Sequence, residues 1–167
     1  MNNIIQKPFL KWVGGKSQII SNILEHVPTT MNSYHEPFVG GGSVLFAVLS
    51  LQLAGKLIIK EKIYACDFNE KLKNVYNEMK NNKEDLFQHI MTNLNEYESI
   101  TNNEEVNRKA KTREEAITSK ESYYYWMRYK YNLKMKECIN DTECAALFIL
   151  LNKLGFRGVY REGPNGF

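Results

Sequence analysis

Proline and cysteine are scarce in this 167-residue chain, with four of the first and three of the second. Cys66, Cys138 and Cys144 are odd in number and lack a C-x-x-C spacing, which argues against a disulfide framework and against a zinc site. Reduced, mostly buried thiols are expected. Long apolar runs are also missing. Val44 to Leu53 is the most apolar stretch, far short of a membrane span and followed by Gly55, so it reads as a buried helix. The N-terminus, MNNIIQKPFLKW, has neither the apolar region nor the cleavage site of a signal peptide, and the expected location is cytoplasmic. Internal repeats and low-complexity tracts are absent. Net charge is only +3, so the overall balance excludes little. Its distribution is uneven: Val106 to Lys136 carries nine Lys/Arg against three Glu, a local +6. Such a segment fits a polyanionic partner, and on charge alone a solvated helix face accounts for it better.

Two glycine-rich stretches are the informative presence. The first is FLKWVGGKS, Phe9 to Ser17, and the second is EPFVGGGSVLF, Glu36 to Phe46. A glycine turn after a strand lets a ligand approach bare backbone, and the helix that follows offers free N–H groups. Tyr34 to Val39 reads as a short buried strand, Gly40 to Gly42 as the turn and Ser43 to Leu53 as the helix. Leu57 to Ile59 and Lys62 to Ala65 have strand character. The second ends at Asp67, an acid placed to hold ribose hydroxyls, about 20–25 residues after the glycines as in dinucleotide sites. Leu45 stands where G-x-G-x-x-G needs its third glycine. Gly15-Lys16-Ser17 is not a P-loop, because Leu10 occupies the place of the earlier glycine and no strand precedes it.

Around this β–glycine loop–α–β–acid order, local signals place the helices. Ser17 is expected to cap a helix carrying Ile19, Ile20, Ile23 and Leu24 that Pro28 ends. Asn69 caps one with Leu72, Val75, Tyr76 and Met79. Leu86, Ile90, Leu94 and Tyr97 mark another, and Asn102 to Lys111 reads as a loop. Ser122 to Lys136 is an aromatic-rich helix, and Asp141 caps an apolar one. The fold class is thus α/β. The expected division is 1–80 as a nucleotide-type part and 81–167 as a largely helical inserted lobe.

In this order the blocks FLKWVGGKS, EPFVGGGSVLF, YACDFNEKLKNVYN, YYYWMRYKYN and FILLNKLGFRGVYREGPNGF resemble the Dam-type (D12 class) adenine-specific DNA methyltransferases over nearly the whole chain. The resemblance implies an incomplete Rossmann-like methyltransferase core with an inserted, mainly helical DNA-recognition lobe. It implies S-adenosylmethionine as cofactor and methyl transfer to the exocyclic amino group of adenine in duplex DNA, with a GATC-like target, in a prokaryotic cell or viral host. No metal is implied. By matching position, Trp12, Lys16, Pro37, Phe38, Gly40, Gly42 and Asp67 would hold the cofactor, although singly Trp12 reads as core, Lys16 as a helix start and Asp67 as a turn residue. Lys11 would reach DNA. In the recognition segment Gly155 to Asn165, Phe156 would wedge into the duplex, and Arg161 would read a guanine. Arg157 stands where the family often has asparagine. Arg128 would contact phosphate or form a structural ion pair, and the aromatics around Trp126 and Tyr129 read as packing.

The family's catalytic Asp-Pro-Pro-Tyr is absent: Pro8, Pro28, Pro37 and Pro164 are all isolated. The chain is therefore expected to be an N-terminal portion, clipped, truncated or split, that does not methylate DNA alone, with a second chain as one source of the other half. The alternative is a non-catalytic DNA-binding module or regulator. An NAD-binding dehydrogenase shares the Asp67 logic but leaves FLKWVGGK and the recognition segment unexplained.

Overall fold

The computed structural model describes residues 4–102, 104–163 and 166–167. It divides into two compact units, 1–73 and 74–167, a boundary seven residues before the expected 80/81.

The first unit contains α1 (Ile20–Glu25), β1 (Thr30–Met31), β2 (Tyr34–Glu36), α2 (Ser43–Leu53), β3 (Ile58–Ile59), β4 (Ile63–Ala65) and the start of α3 (Glu70–Asn81). β1 pairs in parallel with β3, and β2 pairs in parallel with β4, with Glu36 opposite Ala65. β2, α2 and β4 thus form a βαβ unit, the connection parallel strands require. The expected strand Tyr34–Val39 is shorter and only half-buried, because Pro37 has no N–H for the ladder. β1 was not anticipated. α2 is the apolar segment that the composition pointed to. Leu45, Ala47 and Val48 are buried, yet its last residue, Leu53, is 89% exposed. Asn69 starts α3 as expected, its Oδ1 accepting from Lys71 N–H at 3.0 Å and Leu72 N–H at 3.3 Å. Ser17 does not cap α1, which begins after Ile19 without a side-chain cap and buries no residue fully. The Ser17 hydroxyl lies instead 3.1 Å from Ser43 Oγ.

The second unit holds the rest of α3, then α4 (Lys83–Ser99), α5 (Arg113–Ala116), α6 (Lys120–Lys136), α7 (Thr142–Leu154) and one 3₁₀ turn (Phe156–Gly158). Its core is α7, whose residues 144–152 are all buried, the pattern of a helix covered on every side. Tyr123, Met127 and Tyr131 repeat every four residues on α6 and are no more than 1% exposed. Asp141 caps α7 as expected, accepting from Cys144 N–H at 2.8 Å. α6 starts two residues earlier than the expected Ser122 and is capped by Ser119. The loop before α5 is pinned by Asn107 N–H donating to Ser122 Oγ at 2.9 Å.

Of the cysteines only Cys144 is buried, while Cys66 and Cys138 are exposed, contrary to the expectation of mostly buried thiols. Cys66 follows an uncovered strand, and Cys138 follows α6 in a left-handed conformation at φ 57°. Among the described residues no helix is long and apolar enough to cross a membrane.

Most of the basic segment is paired within the unit. Lys120 meets Glu98 at 2.8 Å, Arg108 meets Glu121 at 3.5 Å, and Arg113 pairs with Glu96. Lys134 bridges Asp141 at 2.7 Å and Glu143 at 2.9 Å, with Lys130 on Glu143 at 3.3 Å. Burial alone would raise the Asp141 and Glu143 carboxyls, but Lys134 outweighs it and holds both below the usual range. Their contribution is therefore present at neutral pH, above the unfolded pKa values of about 4. It is lost as pH falls through the lower folded values. Lys134→Met is expected to cost about 1 kcal/mol at pH 7, allowing for solvent screening, and progressively less in acid. Thermal melts followed by circular dichroism test this. An equal deficit at pH 7 and at pH 3 would remove the ion pairs as its cause.

Candidate functional site

In the first unit the β2–β4 register runs on beyond the strands. Cys66 N–H donates to Glu36 O at 2.8 Å, and Val39 N–H donates to Cys66 O at 2.9 Å. This sets the glycine turn beside Asp67. Gly40 N–H donates to Asp67 Oδ2 at 2.8 Å, and Asn69 N–H donates to Oδ1 at 2.9 Å. The carboxylate thus braces the loop, and each oxygen keeps room for a further donor.

The two glycine-rich stretches meet at Trp12. Gly40 has φ +51°, and a Cβ there would stand 3.1 Å from Trp12 Cδ1; at Gly41 it would stand 3.0 Å from Trp12 Cβ and 3.1 Å from Leu10 O. The glycines therefore admit the indole. The expectation that their bare faces serve a ligand is amended, since at these positions the missing side chains make room for Trp12. The Ser17–Ser43 contact ties the stretches a second time.

Between them lies a cavity of ≈ 410 Å³ lined by Trp12, Lys16, Glu36, Phe38, Gly40 and Asp67, among others. That volume falls within the range of small-molecule sites, about 300–1,000 Å³. Phe38 is 80% exposed on its wall. Lys16 Nζ donates to Gly14 O at 2.6 Å. Two expected residues do not line the cavity: Pro37 is exposed, and Gly42, with φ 79°, is the buried N-cap of α2. Lys11 faces a second cavity of ≈ 910 Å³, which Trp12 also borders. Lys11 and Lys16 thus line different cavities, both bordered by Trp12.

Glu36 was not among the expected residues. Burial raises its carboxyl above the ordinary range, only partly offset by hydrogen bonds from Tyr34 Oη and the Leu45 N–H in the first turn of α2. The Tyr34 bond is 2.7 Å long. Its sequence signal was the acid directly before Pro37, at a strand end and ahead of three glycines. Among the described residues no group of three or more His, Cys, Asp or Glu could hold a metal ion.

In the second unit the expected DNA-facing residues fall into two aromatic–arginine groups. Phe156 is 73% exposed, with the Arg157 guanidinium 5.1 Å and the Arg161 guanidinium 5.8 Å from its ring centre. Arg128 lies 5.8 Å from the Tyr125 ring, and Arg108, not singled out beforehand, lies 5.7 Å from it. Trp126 packs edge-on to Tyr123 at 5.1 Å, in keeping with a packing role.

The model of the D12 class N6 adenine-specific DNA methyltransferases matches residues 12–167. The chain belongs to that family. Over 165 residues it is 35% identical to the Type II methyltransferase M.MjaIII of Methanocaldococcus jannaschii, covering 96% of this chain and 50% of that protein. It is 29% identical over 160 residues to the Type II methyltransferase M1.LlaDCHI of Lactococcus lactis subsp. cremoris, covering 96% of this chain and 45% of the other. A DNA adenine methylase of Salmonella typhi is 27% identical over 160 residues, again covering 96% and 45%. This D12 class chain thus spans about half the length of the curated relatives it matches. Arg157 has φ +60°, in the left-handed region that asparagine enters more readily than arginine.

Proposed function

We propose that the chain is the cofactor-binding and target-recognising portion of an S-adenosylmethionine-dependent DNA methyltransferase that modifies adenine in duplex DNA. The observation that carries this is the cavity between the two glycine-rich stretches, with Asp67 at its edge, in a chain of the D12 class. The donor set fits the cofactor. Asp67 keeps acceptor capacity for ribose hydroxyls, Phe38 and Trp12 offer aromatic faces, and Glu36 offers a half-buried carboxylate to a cationic group. The βαβ unit supports a Rossmann-like core, and the helical unit supports an inserted recognition lobe.

When bound, S-adenosylmethionine supplies an electrophilic methyl group on a sulfonium. The residues present bind and orient. Asp67 fixes the ribose while bracing Gly40, Trp12 and Phe38 flank the ligand, and Lys16 remains at the rim. Pro37 and Gly42 shape the loop from outside the cavity. On the DNA side Phe156 wedges where the target base leaves the stack, and Arg161 reads a base edge. Arg157 and Arg128 contact phosphate, and Lys11 reaches DNA from the space beyond Trp12. The target is GATC-like, the setting cytoplasmic, and the Type II methyltransferase relatives favour a restriction–modification role.

Asp-Pro-Pro-Tyr, the motif that would orient the adenine amino group, is not in this sequence. We therefore place it on a further polypeptide segment or second chain. In the first unit, among the described residues, each strand has one partner, leaving open edges beside exposed Ile58, Tyr64 and Phe68. A DNA-binding module without catalysis is the second reading, which the aromatic–arginine groups of the second unit also fit.

Fluorescence anisotropy with duplex DNA tests the recognition half. Binding that weakens steeply with salt is expected. Arg161→Ala should cut the preference for GATC-containing over scrambled duplex by about 5- to 150-fold. Affinity insensitive to both salt and Arg161 would contradict it.

A further inference from the structure

Asn132, near the end of α6, was not among the residues expected to touch DNA, yet it holds the chain just beyond the recognition segment. Its Oδ1 accepts from Phe167 N–H at 2.9 Å. The preceding residue, Gly166, has φ +92°, and a Cβ there would stand 2.5 Å from Asn132 Oδ1 and 2.8 Å from its Cγ. The amide is thus seated where only glycine fits. Gly166 and Gly163 exchange both backbone hydrogen bonds, at 2.9 and 3.0 Å, while Pro164 and Asn165, within the expected recognition segment, lie outside the described residues.

The neighbouring Tyr131 grips the same segment differently. Its ring packs 5.6 Å from Phe167 and 6.0 Å from Phe148, while Tyr160 packs 5.3 Å from Phe148 and 5.4 Å from Phe167. The Tyr131 hydroxyl is buried without a hydrogen-bond partner, so its hold is apolar and weakly directional. Direction comes from Asn132. Exposed Arg161 follows Tyr160 directly, so it is carried on a strip held at Tyr160 on one side and at Gly166–Phe167 on the other.

We propose that Asn132 is a positioning residue for the base-reading arm, fixing the hydrogen-bonded Gly163–Gly166 pair and thereby the direction in which Arg161 presents its guanidinium. This rests on the reading that Phe156 to Arg161 face DNA. A bidentate base contact tolerates misplacement of only about 0.5 Å and 10–20°. Phosphate contacts set overall affinity and carry no sequence information. Loss of Asn132 therefore removes discrimination while leaving general affinity nearly intact.

The test is selection of bound duplexes from a pool with a randomised core, using the full chain, with circular dichroism melts on every variant. The wild type should enrich a consensus. Asn132→Ala should lose at least one base position from it and discriminate about tenfold less, with non-specific affinity and salt slope unchanged. Gly166→Ala approaches the same contact from the other side and should match it, which covers the case of a poorly folding Asn132→Ala. Asn132→Asp keeps an acceptor for the Phe167 N–H and should restore the full consensus. An Asn132→Ala chain that enriches the wild-type consensus unaltered overturns the proposal and leaves the DNA reading standing. A wild type that enriches no consensus overturns that reading, and the role of Asn132 with it.

Discussion

Asp67→Ala is expected to weaken S-adenosylmethionine binding by about 100-fold or more. Two losses coincide. Hydrogen bonds from ribose hydroxyls to a charged acceptor contribute about 1.5–3 kcal/mol each, and each 1.4 kcal/mol is about tenfold in affinity. In addition, Gly40 N–H loses its partner at 2.8 Å, and the loop that Trp12 packs against is released. Asp67→Asn should fall between wild type and Ala, because its amide oxygen can still accept from one of the two backbone donors. Calorimetric titration of the three proteins, each checked for folding, decides this. An alanine variant that binds as tightly as wild type would remove Asp67 from the site and leave it a strand-end turn residue.

Methyl transfer is the second large effect. Incubated alone with labelled S-adenosylmethionine and GATC-containing duplex, the chain is expected to transfer no label, because no carboxylate beside a proline pair is available to orient the adenine nitrogen. Positioning of this kind is the larger part of the catalysis in such a reaction. Adding a polypeptide from the same family that carries Asp-Pro-Pro-Tyr should produce transfer. The open strand edges and exposed Phe68, at 92%, are where it would dock. Label transferred by the chain alone would contradict this account. Sequence-specific DNA binding with no transfer in either arm would favour the non-catalytic module.

Much of this was legible locally. Asn69 and Asp141 cap helices as their sequence neighbourhood dictates, because a cap needs only the N–H groups two or three residues on. The same reasoning failed at Ser17, where the hydroxyl of Ser43, 26 residues away, takes the place of the cap. Asp67 was found from spacing, but its brace on Gly40 was not, since that bond depends on the β2–β4 register. Trp12 was expected as a ligand contact. That it also explains Gly40 and Gly41 required the distances. On charge alone the +6 segment reads better as a solvated helix face than as a polyanion site, and Glu96, Glu98, Asp141 and Glu143, all outside it, are partners its sequence does not show. Asn132 offered no signal, for its meaning depends on a glycine 34 residues later. What the sequence could not express is the pairing of distant residues.

The most direct measurement is a titration of the wild-type chain with S-adenosylmethionine and, separately, with NAD, read by calorimetry and by tryptophan fluorescence. Saturable 1:1 binding of S-adenosylmethionine is expected, with a change in emission that disappears in Trp12→Phe, and with no comparable binding of NAD. Binding of NAD in preference, or of neither, would contradict the assignment of the Trp12–Phe38–Asp67 cavity to the methyl donor.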